Sequence, residues 1–155
     1  MTTAQAPSGP YADWIAWIDS FAQGPAAPAE HLSSTTDPRL AGHVAERIVE
    51  RYAEAFGVRT NAWVESLMRD VNSVARSGRG SYGPVLLDAR RRLNRLCADA
   101  DAPPIPDVIR EQVREELDKL AVRAQEQLET AARSGGPSSR LLAEIRGTPL
   151  TTRPL

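Results

Sequence analysis

The amino-acid sequence predicts an all-α protein: a helical bundle of five main helices plus a short C-terminal helix, with no sheet. The first observation is composition, because Ala, Leu and Arg are abundant and lose little conformational freedom in a helix. The second is the placement of prolines and glycines, which separate apolar segments of helical period. The third is that no segment alternates apolar and polar residues with the period of two that is typical of a strand.

The prolines and glycines indicate where each helix begins and ends. Asp37 supplies an N-cap acceptor for the second helix, and Pro38 takes its first position, where a missing N–H has no effect. Gly57 is expected to end that helix. We place the six helices at residues 11–23, 38–56, 60–77, 84–98, 108–133 and 139–146.

Length and composition favour one globular domain. A chain of 155 residues is long enough to bury a core, and 41% hydrophobic with 25% charged residues is typical of globular proteins. We therefore expect a flexible N-terminus at 1–10, a single helical-bundle domain at 11–147 and a flexible C-terminal tail at 148–155.

Charge and cysteine content restrict the partners and the compartment. The net charge is −1 at pH 7, so no overall field attracts nucleic acid or anionic lipid. Cys97 is the only cysteine, which excludes an intrachain disulfide. The first ten residues lack the basic and apolar segments of a signal peptide, and no apolar stretch approaches the roughly 20 residues that cross a bilayer. We expect a cytoplasmic protein with no membrane contact.

No group of residues has the spacing of a catalytic or metal-binding motif. His31 and His43 are the only histidines, whereas a helical di-metal site needs several inward-facing Glu and His residues. Ser, His and acidic residues do not occur in a recognisable catalytic arrangement either. Cys97 lies on an apolar helical pattern and is expected to be a small buried residue rather than a nucleophile. We expect no catalytic residue, no metal and no cofactor, which favours a role other than that of an enzyme over the remaining alternative, a helical enzyme whose site has no recognisable motif.

The first helix carries an unusually aromatic face. At 100° per residue its large apolar side chains fall within roughly 160° of arc, and polar residues take the other side. One hypothesis is that this face anchors a partner protein or a second copy of the chain, since Trp and Tyr dominate interface hot spots. The alternative is that the face closes the bundle's own core. The candidate partner-binding residues are Tyr11, Trp14, Trp17, Ile18 and Phe21.

The segment 52–63 resembles the core of a helix-turn-helix. It has the small residue Ala53, then Gly57 four residues later for the turn, and the apolar Trp63 in the following helix. The resemblance implies that the 46–76 region binds DNA, although the net charge disfavours nucleic acid. The DNA-contacting residues that it implies are Arg59, Thr60, Asn61 and Arg69.

Two functional hypotheses follow. The first is a non-catalytic protein-interaction module, such as an adaptor, a regulatory subunit or a structural subunit, that acts through the aromatic face of its first helix. It would bind a protein partner or associate with itself. The alternative is a helix-turn-helix DNA-binding transcription regulator.

Overall fold

The computed structural model describes residues 9–78, 81–134 and 139–154. All regular structure within these ranges is helical, which confirms the predicted bundle of five main helical segments with a short C-terminal helix and no sheet. One of the five segments is a three-residue 3₁₀ turn, so some boundaries differ from those predicted. In chain order the elements are α1 (Pro10–Gln23), the 3₁₀ turn (Pro38–Leu40), α2 (His43–Ser77), α3 (Gly83–Asp101), α4 (Asp107–Ser134) and α5 (Ser139–Gly147).

Helix α2 runs without a break through Gly57, so the predicted helix end at this residue is wrong. Tyr52 and Trp63 lie on either side of Gly57 and are both buried. They are separated by about three helical turns, which puts them on one stripe of a continuous helix. The free energy gained by burying that stripe outweighs the roughly 1 kcal/mol by which glycine disfavours a helix interior.

The helix start predicted at Asp37 and Pro38 is a 3₁₀ turn instead of an α-helix. The Asp37 carboxylate accepts hydrogen bonds from the Arg39 side chain and from its backbone N–H, each at 2.9 Å. These bonds lower the pKa of Asp37 to about 2. The turn ends at the fully buried Leu40, and Gly42, with a φ of 67°, then leads the chain into α2.

A single core runs through the bundle and takes residues from every helix. Helix α1 packs against α2, α3 lies against α2, and α4 packs against both α3 and α5. The core therefore joins the described ranges into one folded unit. Its largest fully buried side chains are Trp14, Trp17, Phe21, Leu40, Ile48, Tyr52, Leu67, Leu86, Leu93, Leu96, Leu128 and Ile145.

The segment 148–154, which belongs to the tail predicted to be flexible, lies against α4. The Leu150 side chain is only 6% exposed, and its backbone N–H donates to Gln125 Oε1 at 3.0 Å. The Thr152 hydroxyl donates to Asp118 Oδ1 at 2.5 Å. The predicted flexible N-terminus at 1–10 lies largely outside the described residues.

The described helices do not have the character of membrane spans. None of them combines the length and the apolarity that crossing a bilayer requires. The most aromatic one, α1, has only 14 residues.

Candidate functional site

The aromatic face of α1 is part of the protein's own core. Trp14, Trp17, Ile18 and Phe21 are between 0% and 4% exposed, and Tyr11 is half-buried. A side chain enclosed by its own chain has no surface left for a partner. Trp14, Trp17, Ile18 and Phe21 close the bundle's own core, as the alternative expects, and none of the four is exposed in the way that the partner-surface hypothesis requires.

Both α1 tryptophans are held by the loop that follows the helix. The Trp14 indole N–H donates to the Ser33 carbonyl oxygen, and the Trp17 indole N–H donates to the Ala27 carbonyl oxygen, each at 2.8 Å. The Trp17 ring also stacks on Phe21, with ring centroids 5.2 Å apart. Since buried indole N–H groups need a partner, the loop satisfies both donors and fixes α1 in the bundle.

Arg59, a candidate DNA contact, is enclosed between α1, the loop and α3. Its guanidinium lies 5.1 Å from the Phe21 ring centroid and pairs with Asp99 at 2.6 Å. Asp99 also accepts the backbone N–H of Ala26 at 3.2 Å. Gly24 has a φ of 48°, which favours glycine, and a Cβ there would come within 2.7 Å of the Arg59 guanidinium and displace it. Arg59 thus has a structural role, and its charge is already paired with Asp99.

The four residues of the DNA-binding alternative do not form one surface. Arg59 is enclosed, and Thr60 is half-buried with its hydroxyl bonded to the Gly57 carbonyl oxygen at 3.0 Å. Asn61 and Arg69 are exposed. A helix-turn-helix also requires a turn at Gly57, where α2 is continuous. The structure therefore lacks the turn on which that alternative depends.

The structure brings together residues of α2 and α4 that the sequence did not connect. Two adjacent surface depressions of about 610 and 760 Å³ share Met68, a half-buried residue of α2. We call the two depressions together the α2–α4 groove. Its lining residues are Glu65, Met68, Arg69, Asn72, Ser73 and Arg76 from α2, and Arg123, Glu126, Gln127, Thr130 and Ala131 from α4.

The α2–α4 groove carries a local excess of positive charge. Its lining contains three cations, Arg69, Arg76 and Arg123, and two anions, Glu65 and Glu126. None of the three arginines forms an ion pair with another residue that the structure describes. The groove therefore differs in sign from the chain as a whole, whose net charge is −1.

Sequence periodicity predicts the α2 side of this groove but not the α4 side. Positions 65, 69, 72 and 76 recur every three or four residues and so share one side of α2. No local pattern tells which other helix lies beside them. The sequence analysis therefore did not identify the groove.

The histidines and the cysteine do not form a catalytic or metal-binding group. His31 and His43 are both exposed, and the His43 ring contacts only Glu46, at 3.3 Å. Within the described ranges, no three His, Cys, Asp or Glu side chains are grouped closely enough to hold a metal ion. Burial raises the pKa of the half-buried Cys97 to about 11, so its thiol is protonated near neutral pH.

No protein-family model, curated protein or solved structure matches this chain. Function has to be inferred from its own residues and contacts. Among these, the α2–α4 groove is the surface feature that combines two helices, a half-buried methionine and uncompensated charge.

Proposed function

We propose that this chain is a non-catalytic protein-interaction module, an adaptor or a regulatory subunit, that binds an amphipathic helix of a partner protein in the α2–α4 groove. The observation that supports the proposal is the groove itself: two long helices border a depression that contains the half-buried Met68. Methionine is flexible and polarizable, and it is common at surfaces that accept partner helices. Binding of a helix in such a groove is a recurring mode of protein recognition.

The dimensions of the α2–α4 groove suit a short helix. On α2 its lining extends from Glu65 to Arg76, about 16 Å at 1.5 Å per residue. On α4 it extends from Arg123 to Ala131, about 12 Å. A partner helix of two to three turns would therefore contact both sides.

The charge of the α2–α4 groove indicates the chemistry of that helix. Three arginines that have no described ion-pair partner border it, against two glutamates. An apolar side chain placed on Met68, with acidic residues on either side, would complement this arrangement. The proposed partner is thus a helix with one apolar stripe and acidic flanks.

The proposal is tested by capture from native cell lysate with matched variants. Ala131→Glu places a bulky anion in the groove at an exposed position, and Ala53→Glu makes the same change at an exposed position of α2 outside it. Because an anion in the groove repels the acidic flanks of the partner, we expect a protein captured by the wild-type chain to be retained by Ala53→Glu and reduced at least about tenfold by Ala131→Glu. Circular dichroism should show equal helix content in all three.

Three results would contradict the proposal. Capture that is insensitive to Ala131→Glu would show that the groove is not the contact. A wild-type dimer that this variant dissociates, seen by sedimentation, would assign the groove to a second copy instead of a partner. A gel shift of random duplex DNA that weakens steeply with salt would favour the DNA-binding alternative.

A further inference from the structure

A small pocket separate from the α2–α4 groove lies where the end of α1, the middle of α2 and the middle of α3 meet. Its volume is about 220 Å³, roughly the space of seven water molecules at about 30 Å³ each. None of its lining residues lines the α2–α4 groove. Because its lining includes Arg59, Arg92 and Arg95, we call it the arginine pocket.

The charged residues that line the arginine pocket are all cations. No carboxylate of a described residue belongs to the lining, in contrast to the α2–α4 groove, where two glutamates accompany the arginines. Arg92 pairs with Asp70 and Asp88, at 3.4 and 2.9 Å. Arg95 is exposed and forms neither an ion pair nor a hydrogen bond with a described residue. The positive charge of Arg95 is therefore uncompensated.

Arg59 lines the pocket with its hydrogen-bond donors unused. Its side chain is only 12% exposed, and Nη1 lies 2.6 Å from the Asp99 carboxylate. Neither N–H of Nη1 points at an acceptor, and this atom is closed off from the surface. Nε and Nη2 also form no hydrogen bond with a described residue, but they are not enclosed. Because the donors of a largely buried guanidinium are normally hydrogen-bonded, Nε and Nη2 favour an acceptor in the pocket.

Gly24 leaves this edge of the Arg59 guanidinium uncovered. A Cβ at Gly24 would lie 2.7 Å from Nη2 and 2.9 Å from Nε, and Gly24 itself lines the pocket. Nε and one Nη form the edge with which an arginine binds two oxygens of one anion side by side. The arginine pocket thus offers a bidentate donor pair, while Nη1 keeps its contact with Asp99.

A tetrahedral dianion fits this arrangement better than a carboxylate does. Arg59 belongs to α2 and Arg95 to α3, so the two guanidiniums come from different helices. A phosphate group directs its oxygens in several directions, whereas the two oxygens of a carboxylate lie in one plane. A phosphate monoester also carries a charge of about −1.5 to −2 at pH 7, which strengthens its attraction to more than one arginine.

We infer that the arginine pocket binds a phosphate dianion, either as the free ion or as a small monoester. The Nε–Nη2 edge of Arg59 holds two phosphate oxygens, and Arg95 pairs with another. The organic part of a monoester covers Trp63 and Leu96, which are apolar residues of the lining. This inference concerns residues other than those of the proposed function and stands or falls separately from it.

The test is isothermal titration calorimetry of the full chain with inorganic phosphate at about pH 7.5 and constant ionic strength. We expect one site with a Kd below about 1 mM, and binding of acetate at least about tenfold weaker. Arg95→Gln should raise the Kd of phosphate about tenfold or more, because it removes a charged contact at an exposed position. Ala62→Glu should abolish binding, because it places a carboxylate in the pocket from an exposed position of α2.

Matched controls distinguish the arginine pocket from a general attraction of phosphate to arginine. Arg91→Gln makes the same change at an exposed position of α3 outside the pocket, and Ala53→Glu does so on α2. Both should leave Kd unchanged, and circular dichroism should show equal helix content in all variants.

A parallel titration with phenyl phosphate separates the two forms of the ligand. Tighter binding than that of inorganic phosphate would support a monoester site, and equal or weaker binding would support a site for the free ion. The inference is overturned if Arg95→Gln or Ala62→Glu leaves Kd unchanged, if acetate binds as tightly as phosphate, or if neither phosphate compound binds saturably below about 1 mM.

Discussion

Arg59 and Asp99 form the least exposed ion pair among those of the described residues, with side chains 12% and 18% exposed. Charges removed from water are tolerated only when they are well paired and hydrogen-bonded. Here the guanidinium lies over the Phe21 ring, and the carboxylate accepts the Ala26 N–H. One ion pair therefore joins α1, the loop after it, α2 and α3.

Removal of either charge should lower the stability of the fold. We predict that Asp99→Ala lowers the free energy of unfolding by about 3 kcal/mol, because it leaves the Arg59 charge buried without a partner. Asp88→Ala is the matched control, since the Asp88 carboxylate is 62% exposed in its pair with Arg92 and should change stability by less than about 1 kcal/mol. Urea denaturation measures both. Equal losses of stability in the two variants would show that the Arg59–Asp99 pair contributes no more than an exposed ion pair.

The continuity of α2 through Gly57 distinguishes this fold from a helix-turn-helix. In that motif the glycine serves the turn, whereas here it lies in the interior of a helix of 35 residues. A Cβ added to Gly57 would meet nothing within 4 Å. Glycine at this position is therefore a stability cost without a steric reason.

This geometry makes Gly57→Ala a direct test of the helix. We predict that the substitution raises the free energy of unfolding by about 0.5–1 kcal/mol, because alanine restricts the unfolded chain and fits the helix. Gly78→Ala is the contrast: Gly78 ends α2 at a φ of 61°, and alanine there should destabilise by about 1 kcal/mol. Thermal unfolding measures both changes. Destabilisation by Gly57→Ala would indicate a turn at that residue.

The segment 148–154 packs onto the helices and contributes to their core. It follows α5, returns along α4 and buries Leu150. The N–H of Leu150 and the hydroxyl of Thr152 both bond to α4 side chains, Gln125 and Asp118. The last described residues thus belong to the core, and Thr152 and Pro154 line a depression between α3 and α4.

Truncation of the Leu150 side chain should lower the stability of the whole fold. We predict that Leu150→Ala lowers the free energy of unfolding by about 2 kcal/mol, since the side chain is 6% exposed. Val122→Ala removes a comparable apolar group from α4 at a position 56% exposed and should cost less than about 0.5 kcal/mol. Urea denaturation compares the two. If both variants are as stable as the wild type, the segment is a loose tail after all.

Local sequence patterns predicted most helix boundaries within a few residues. The helices expected at 11–23, 84–98, 108–133 and 139–146 correspond to α1, α3, α4 and α5. One error lies at Gly57, where the glycine indicated a helix end and α2 continues. The other lies at Pro38, where the proline indicated the start of an α-helix and the chain forms a 3₁₀ turn. Tertiary burial decides such positions, because it can outweigh a local preference of about 1 kcal/mol.

The candidate binding surfaces were much less predictable. Periodicity identified the aromatic face of α1 but not what would cover it. The α2–α4 groove joins Met68 to α4 residues more than 50 positions later, and the depression between α3 and α4 joins Asn94 to Pro154. Each is formed by segments that are distant in sequence, and one sequence contains no local signal for their pairing.

Composition and periodicity show that the chain is helical, where most helices lie and which residues of α1 are strongly apolar. These properties depend on backbone propensity and on a period of 3.6 residues, both of which act over a few positions. Three other features depend on how distant segments pack: the α1 aromatic face is core, α2 does not break, and two concave surfaces border α4. Trp14 needs a carbonyl at Ser33, and Arg59 needs the carboxylate of Asp99, so long-range partners determine which apolar and charged groups remain at the surface.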